Sequence, residues 1–554
     1  MLKKGMERSL ERIFESALKK IGVPEGIPVR FETPQNEAHG DLSTNIAMLI
    51  AKDLKRSPRD IAKEIVDYVR GEDGELKSVE IAGPGFINVM FRNDYITGQL
   101  QELLSHGTEY GKGESNKGQR INLEWVSANP TGHLHAGHGR QACLGQAIAN
   151  LLDWTGAEVT REYYFNNAGN QMTNLAKSVR VRYLQQLGEP IELDEDGYRG
   201  MEIVEIAKEM VREFGESKRE ESLAFFQSFG EKKNFRHIRS TLERLGIHHD
   251  IFFNENSLYE SGAIERTISE FKARGLAYEK DGALWLRLSE MGQNEDRVIV
   301  KSSGEPTYRL PDICYHRDKL SRGYDDIIDI FGADHIATIA DVLAALKSLG
   351  YDTERIKVIL HQMVTFVSGK ELIKFSKRSG EAYSLDELID DVGADAAKFF
   401  FNMRASGSHL EFDVELAREQ SEKNPVYYVQ YAHARIASIV RFAAQEGIAF
   451  SIPDKTEEGN TDLSVLEHPE ELRLIKVLIR FPQVIERSAA ALAPHHVCEY
   501  LREVAAQFHR FYQECRIVGG PKHLEIPRLL LAMATKRVIA NGCAVLGVTA
   551  PESM

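Results

Sequence analysis

The stretch SANPTGHLHAGHGRQ, residues 127–141, sets His133, His135 and His138 among Gly132, Gly137 and Gly139. Imidazoles this close together can coordinate a metal, sit on a surface loop, or donate hydrogen bonds to an anion. Three ring nitrogens on one turn, with neither cysteine nor a HExxH-type carboxylate, make a poor zinc set, so no protein-bound metal is expected. Position separates the other two readings. INLEWVS, just upstream, alternates Ile121, Leu123 and Trp125 with polar Asn122 and Glu124, the period of a strand. Downstream, Leu144, Ile148, Leu151 and Leu152 fall at i, i+4, i+7 and i+8, the stripe of an amphipathic helix. His135-Ala136-Gly137-His138 therefore opens a helix behind a strand, where unpaired N–H groups and the helix dipole favour negative charge. Gly137 allows a nucleotide to approach the backbone closely. The turn has neither the GxxxxGK[ST] cradle nor GxGxxG, and reads as a phosphate-handling turn of another kind.

The elements that must hold it follow from the pattern on either side. Gly156 is placed to end the helix, and AEVTREYYF reads as the next strand, giving the βαβ unit of an open parallel sheet. Such sheets bind ligands at the carboxyl ends of their strands. Residues 1–110 read as a small α+β module: an amphipathic opening helix, then strand-like IPVRFETP and SVEIAGPGFINVMF. A Gly- and Ser-rich linker is expected near 104–119. Charged helical patterns over about 175–295 read as an insertion into an α/β unit spanning 118–415, whose alternation resumes with DRVIVKS, DDIIDIFGADH and RIKVILHQMVTF. Residues 416–554 read as all-helical, with Val497, Leu501, Val504, Phe508 and Phe511 in one apolar stripe and an acidic loop at 453–462 dividing the region.

Composition sets the outer bounds. The chain has 554 residues, 42% hydrophobic and 27% charged, room for several domains of a soluble globular protein. No run approaches about 18 uncharged apolar residues, and the N-terminus lacks a signal-peptide core, so neither a membrane span nor secretion is expected. Five cysteines, far apart and without a CxxC pair, argue against zinc and disulfides and for a reducing cytoplasm. A net charge of −14 opposes a nucleic-acid partner if spread evenly. Residues 472–554, however, carry 11 Lys/Arg against 6 Asp/Glu, which suits a basic face or plain solvated helices equally.

HAGH behind a first strand resembles the HIGH signature of class I aminoacyl-tRNA synthetases and related nucleotidyl transferases. Those enzymes pair it with a downstream KMSKS loop, and Lys374-Phe375-Ser376-Lys377-Arg378 stands about 240 residues later. EWVSANPTGHLHAGHGR, SLYESGAIER, GLAYEKDGALWLR, PTYRLPDICYHRDK, FGADH, DVGADAAKFFF, EKNPVYYVQYAHARI and LGVTAPESM resemble arginyl-tRNA synthetases in particular, across essentially the whole chain. The resemblance implies an α/β fold: a Rossmann-like parallel-sheet catalytic domain with a helical insertion, an N-terminal tRNA-binding module and an all-α anticodon-binding domain. It implies activation of L-arginine by ATP with Mg2+, transfer of the arginyl group to the 3′ end of tRNA(Arg), and a cytoplasmic monomer.

By the same resemblance His135 and His138 hold ATP and stabilise the transition state, Lys377 neutralises the β- and γ-phosphates, and Lys374 assists. Gly137, Asp334, His335, Phe375 and Ser376 line the ATP site. Glu124 and Asn129 hold polar groups of arginine, while Tyr308 and Asp312 grip its guanidinium. Pro311, between that pair, is expected to stop an ordinary helix before Asp312. Tyr427, Tyr428 and Tyr431 offer stacking surfaces to unpaired bases, although their helical spacing suits core packing equally. The pattern is not followed everywhere. Phe375 replaces the Met of KMSKS, Ala136 replaces the Ile of HIGH, and APESM stands where the family often has arginine before the last residue. A HIGH-type nucleotidyl transferase that ignores tRNA would lack the helical last third. A tRNA-binding protein without activity would show eroded HAGH or KFSK, and both are intact.

Overall fold

The computed structural model describes residues 6–24, 26–34, 36–72, 74–373, 383–450 and 461–554. The KFSKR segment, with Lys374, Phe375, Ser376 and Lys377, lies outside them, as do residues 453–460 of the acidic loop.

The chain opens with the helix Met6–Lys20 and a three-stranded antiparallel sheet of β1 (Leu42–Thr44), β2 (Leu76–Ala82) and β3 (Phe86–Phe91), ordered β1-β3-β2. IPVRFETP buries Val29 and Phe31 as its alternation requires, yet only Glu32 pairs, through an isolated bridge to Ser43. Pro28 and Pro34 flank the run, and proline cannot donate to a ladder.

The second sheet is the frame of the molecule. It contains β4 (Arg120–Glu124), β5 (Glu158–Phe165) and β6 (Ile251–Asn254). A small antiparallel sheet of β7 (Ala277–Lys280), β8 (Ala283–Leu286) and β9 (Arg297–Val300) comes next in the chain. The frame is completed by β10 (Asp326–Gly332) and β11 (Ile356–His361) in the order β11-β10-β4-β5-β6, with every neighbouring pair parallel. From β4 the chain builds outward through β5 and β6, then returns to add β10 and β11 on the other side. Strand order thus reverses between β4 and β10, and the crevice at their carboxyl ends is where such sheets bind ligands. Beyond it β12 (Val364–Ser368) pairs with β13 (Glu371–Leu372) and with β14 (Leu410–Asp413).

Three expectations need correction. The span 175–295 is helical only in part: Asn170–Gln186, Met201–Phe214 and Leu223–Arg244 pack round Met172, Leu175, Val179, Ile203, Met210 and Phe226, but β6 to its C-terminal side belongs to the frame. DRVIVKS forms β9 of the antiparallel sheet and never joins the frame; alternation identifies a strand without naming its partner. Nor does Pro311 stop a helix. Arg309–Ser321 is helical through Asp312, whose N–H donates to Tyr308 O at 3.2 Å. Pro311 lies in the first turn, where N–H groups have no intrahelical acceptor, so its missing donor costs nothing.

Helices dominate from Pro425 on: Pro425–Gln445, Pro469–Leu478, Phe481–Ala490, His495–Glu514 and Lys522–Val545. Val497, Leu501, Val504, Phe508 and Phe511 are wholly buried among them. Several contacts tie this bundle to the rest, among them Asn150 Nδ2 to Val545 O and Asn541 Nδ2 to Tyr110 O, and two more involve charged groups. Asp41 of the N-terminal module pairs with Lys476 at 2.5 Å. Asp395, on the helix Ala394–Asn402, accepts from Gln430 Nε2 (2.9 Å), from the Thr549 N–H (3.2 Å) and from the Thr549 hydroxyl, while Lys398 donates to Gly547 O.

Candidate active site

β4 ends at Glu124, and the backbone then turns sharply: Val126 and Ser127 have φ of 72° and 43°. A β-branched residue in the left-handed region stores strain on the order of 1–3 kcal/mol, and such strain collects at functional sites. Ser127 Oγ secures the turn, donating to Glu124 Oε1 (2.8 Å) and accepting from Tyr164 N (3.0 Å). Past the turn the chain extends and pairs with residues 383–385: Leu385 N donates to Leu134 O (2.8 Å), Ala136 N donates to Tyr383 O (2.7 Å), and His135 bridges Ser384. Leu134 and Ala136 are buried, so the alternation of an extended chain sends His133 and His135 to the opposite, open side.

His138 begins the helix His138–Trp154, and its ring stacks on His135 with centroids 3.7 Å apart. His138 Nδ1 accepts the His135 N–H at 3.2 Å. Burial lowers both imidazoles, His138 to about 3, and the nearby His135 ring depresses the charged form of His138 further. Both are therefore neutral donors at neutral pH, suited to negative charge on a ligand. Gly137 makes their packing possible, since a Cβ there would lie 2.9 Å from His135 Nδ1. The helix is clamped from behind: a Cβ on Gly145 would lie 2.2 Å from the Trp125 ring. Arg140, fully buried, donates to the carbonyls of Gln362, Ala405 and Ser408 at 2.8–2.9 Å.

Beneath the crevice lies a buried ionic layer. Lys319, fully buried, donates to Glu124 and to Asp329 Oδ1 (2.5 Å); His316 Nε2 lies 3.0 Å from Asp329 Oδ2. Although burial opposes its charge, the carboxylates of Asp329 and Glu124 hold the Lys319 ammonium above its usual value, and Asp329 is held low against the same burial by Lys319 and His316. Glu162 takes both arms of Arg322 (2.7 and 2.9 Å) and the Tyr315 hydroxyl (2.8 Å). Each oxygen of Glu124 thus already accepts a hydrogen bond from the protein, one from Ser127 and one from Lys319.

Asp312 is different. It stands in the first turn of Arg309–Ser321, and burial, reinforced by Glu124 and Glu255, raises its carboxyl to about 7 against the opposing pull of His316 and Lys319. Glu255, at the end of β6, is raised by burial and accepts from the Tyr164 hydroxyl at 2.8 Å. These carboxylates form a place that a cation would satisfy. Tyr308, 67% exposed, stands at its mouth. Gln171 joins Tyr308 to Asn129, donating to the Tyr308 hydroxyl (3.3 Å) and accepting from Asn129 Nδ2 (2.6 Å). At the carboxyl end of β10 the turn Ala333–His335 carries Asp334 and His335, with the His335 ring stacked on Phe331 at 5.8 Å.

The site therefore brings together Glu124, Asn129, His135, Gly137, His138, Tyr308 and Asp312, and adds Gln171, Glu255 and Lys319, which the sequence reading did not single out. Lys319 was signalled: Asp312, His316 and Lys319 fall at i, i+4 and i+7, a polar stripe on one helix face. Glu255 became visible only with β6 in the frame. The three tyrosines lie elsewhere, half-buried on Pro425–Gln445: Tyr427 and Tyr431 are nearly parallel with centroids 6.1 Å apart, and Tyr428 meets His509 at 5.0 Å. Arg435 lies over Tyr431 and Tyr512, and a cavity of about 370 Å3 opens beside Tyr428, Arg435, His509 and Tyr512. Among the described residues no group of three His, Cys, Asp or Glu could hold a metal ion, and no helix is long and apolar enough to cross a membrane.

Three family models match the chain: the arginyl tRNA synthetase N-terminal domain over residues 8–91, the class I tRNA synthetase (R) catalytic domain over 99–405, and the DALR anticodon binding domain over 429–554. The arginine–tRNA ligase of Carboxydothermus hydrogenoformans is 44% identical, with 99% of this chain and 100% of the relative covered. That of Desulfotalea psychrophila is 45% identical, with both chains covered in full. The solved structure of Thermus thermophilus arginyl-tRNA synthetase superposes with a TM-score of 0.78 at 22% identity, covering 99% of this chain and 100% of the other, which shows a shared fold.

Proposed function

Because the chain belongs to the arginyl-tRNA synthetase family and is an arginine–tRNA ligase, we propose that the crevice between β4 and β10 divides the reaction between two sets of side chains. Asp312, helped by Glu255, takes the guanidinium of L-arginine, with Tyr308 and Asn129 closing round it through Gln171. Glu124 supports the same end of the substrate from the ionic layer below. A guanidinium presents five donors in a fixed fork, so a pocket of acceptors recognises it better than any other side chain.

His135 and His138 take the ATP phosphates, with Gly137 holding their geometry; His335 and Asp334 are assigned to the same site by motif. The arginine carboxylate attacks the α-phosphorus; an oxygen–phosphorus bond forms, and pyrophosphate leaves with the electrons of the bond that breaks. The terminal 3′ adenosine then attacks the arginyl carbonyl through a ribose hydroxyl, which loses its proton, and AMP departs. Neither step needs a covalent enzyme intermediate; both need alignment and donors aimed where negative charge grows. Mg2+ travels with the ATP phosphates and adds charge neutralisation when bound. Lys374 and Lys377, with Phe375 and Ser376, are assigned to the phosphates by motif. Support comes from Tyr383, five residues after that segment, whose carbonyl accepts the Ala136 N–H of the HAGH turn.

For tRNA, the half-buried Tyr427, Tyr428 and Tyr431 beside Arg435 offer ring faces and a cation to unpaired bases, and the N-terminal module offers a second contact. One chain carries every group invoked, which fits a monomer, and its five buried free cysteines fit a reducing cytoplasm. The observation that carries the reading is the stacked, neutral His135–His138 pair at the start of a helix in the crevice. Charging total tRNA with each of the twenty labelled amino acids tests it: arginine alone should be attached, and efficient attachment of another amino acid would overturn it.

A further inference from the structure

His133 lies two residues before His135 on the same open side, and the reaction just described leaves it unused. It is not isolated. Its ring stacks on His237, from the helix Leu223–Arg244, with centroids 3.5 Å apart and planes 15° from parallel. His237 Nε2 lies 2.9 Å from Asp386 Oδ2, the oxygen that also accepts from Thr241 Oγ1 at 2.7 Å. Arg244 donates to the other oxygen of Asp386 at 2.5 Å. One carboxylate thus collects three donors from a single face of one helix.

Asp386 sits on the short helix Leu385–Val392, whose capping box is built on Ser384 and Glu387. Ser384 is the residue that bridges His135, and Leu385 N bonds Leu134 O. The carboxylate therefore reaches the HAGH turn by two routes. The first is the backbone pairing of 383–385 with 134–136. The second is the ring stack from His237 to His133. Burial alone would raise the Asp386 carboxyl, but hydrogen bonds from His237, Thr241 and Arg244 hold it down at about 2. It acts as a fixed charge and exchanges no proton near neutral pH. Asp312, Glu255, Gln171 and Tyr308 belong to other contacts.

We propose that Asp386 and His237 are positioning residues for arginine activation, locking the HAGH turn from outside so that His135 and His138 meet the phosphates in register. The proposal rests on the phosphate role given to that pair, and the experiment separates the two.

Steady-state arginylation is measured for Asp386→Asn, for His237→Phe, which keeps a ring against His133 but gives nothing to Asp386, and for His138→Ala as reference. Misplacement of about 1 Å can cost about 100-fold in rate, so kcat should fall roughly 10- to 100-fold in the first two variants. The KM for arginine should stay within about twofold, because the guanidinium pocket makes none of these contacts, and Asp386→Glu should recover part of kcat. A merely structural role would lower Tm and leave the kcat of folded enzyme alone. If Asp386→Asn does not fold, His237→Phe decides. Unchanged kcat in folded His237→Phe, with His138→Ala impaired, overturns the proposal and leaves the phosphate assignment standing. Unchanged kcat in His138→Ala overturns both.

Discussion

A carboxyl group enclosed beside two other carboxylates is a poor place for negative charge until a cation arrives. That is the condition of Asp312, held at about 7 by burial together with Glu124 and Glu255. Its folded value lies above its unfolded one, so the empty fold binds this proton more tightly than the unfolded chain does. The stability this proton confers is consequently full below about 4 and lost as pH rises toward and through 7, and bound arginine reverses the loss by favouring the carboxylate. Arginine binding should expel a proton below pH 7, and the arginine KM should climb by up to about tenfold per pH unit from 7 toward 6 while the ATP KM holds. A KM flat from pH 6 to 8 would remove Asp312 from the pocket. Asp312→Asn should abolish that pH dependence and raise the arginine KM roughly 30-fold to several thousand-fold, ~2–5 kcal/mol for truncating one side of a buried charge pair. His138→Ala should act on the other half of the reaction, lowering kcat by about 10²–10³ with little effect on arginine KM. Residues named by motif were legible because their spacing is local: His135, His138, Tyr308 and Asp312 all belong to short segments. Gln171 was not, because its importance comes from joining Asn129 to Tyr308, 42 and 137 residues away.

Elements carry their own test, because glycines on two helices can meet opposite surroundings. Gly145 faces the Trp125 ring with no room for a methyl group. Gly145→Ala must push the helix His138–Trp154 off β4, at a cost of about 1–3 kcal/mol or more, read as a lowered Tm with impaired activity. Gly98, within the helix Asn93–His106, faces open space. Gly98→Ala should stabilise by about 0.4–1 kcal/mol through reduced unfolded-state freedom, and leave catalysis alone. Equal Tm shifts in the two variants would refute the packing described. The helix His138–Trp154 was legible because its apolar stripe, Leu144 to Leu152, runs for about two and a half turns before a glycine end signal. β6 was not: four residues following a run of charged helices give alternation too few positions, and only pairing with β5 reveals it. The helix at Pro311 was misjudged because proline's penalty depends on its place in the helix, and the start of that helix carries no side-chain cap to mark it.

At the scale of the molecule, the bundle and the catalytic unit meet at Asp395, which gathers Gln430 and Thr549. Asp395→Asn should loosen the segment round Gly547–Thr549, seen as faster amide exchange there, without changing ATP affinity; unaltered exchange would show that Asp395 does not hold it. No sequence pattern announces this junction, since residues 395, 430 and 549 become neighbours only after three separate packing decisions. The domain succession could be read from changes in periodicity, but the docking could not. The order of the central sheet bears on how the protein is made. β4, its middle strand, emerges about 200 residues before β10, the partner that completes the crevice. At about 5–20 residues per second, a nascent chain spends roughly 10–40 s with one edge of β4 unpaired. That strand carries the buried apolar residues Ile121 and Leu123, and an unpaired strand edge invites pairing with other chains. The crevice assigned to catalysis is thus a seam of the sheet that closes late, and until β10 arrives one edge of β4 stays open to aggregation.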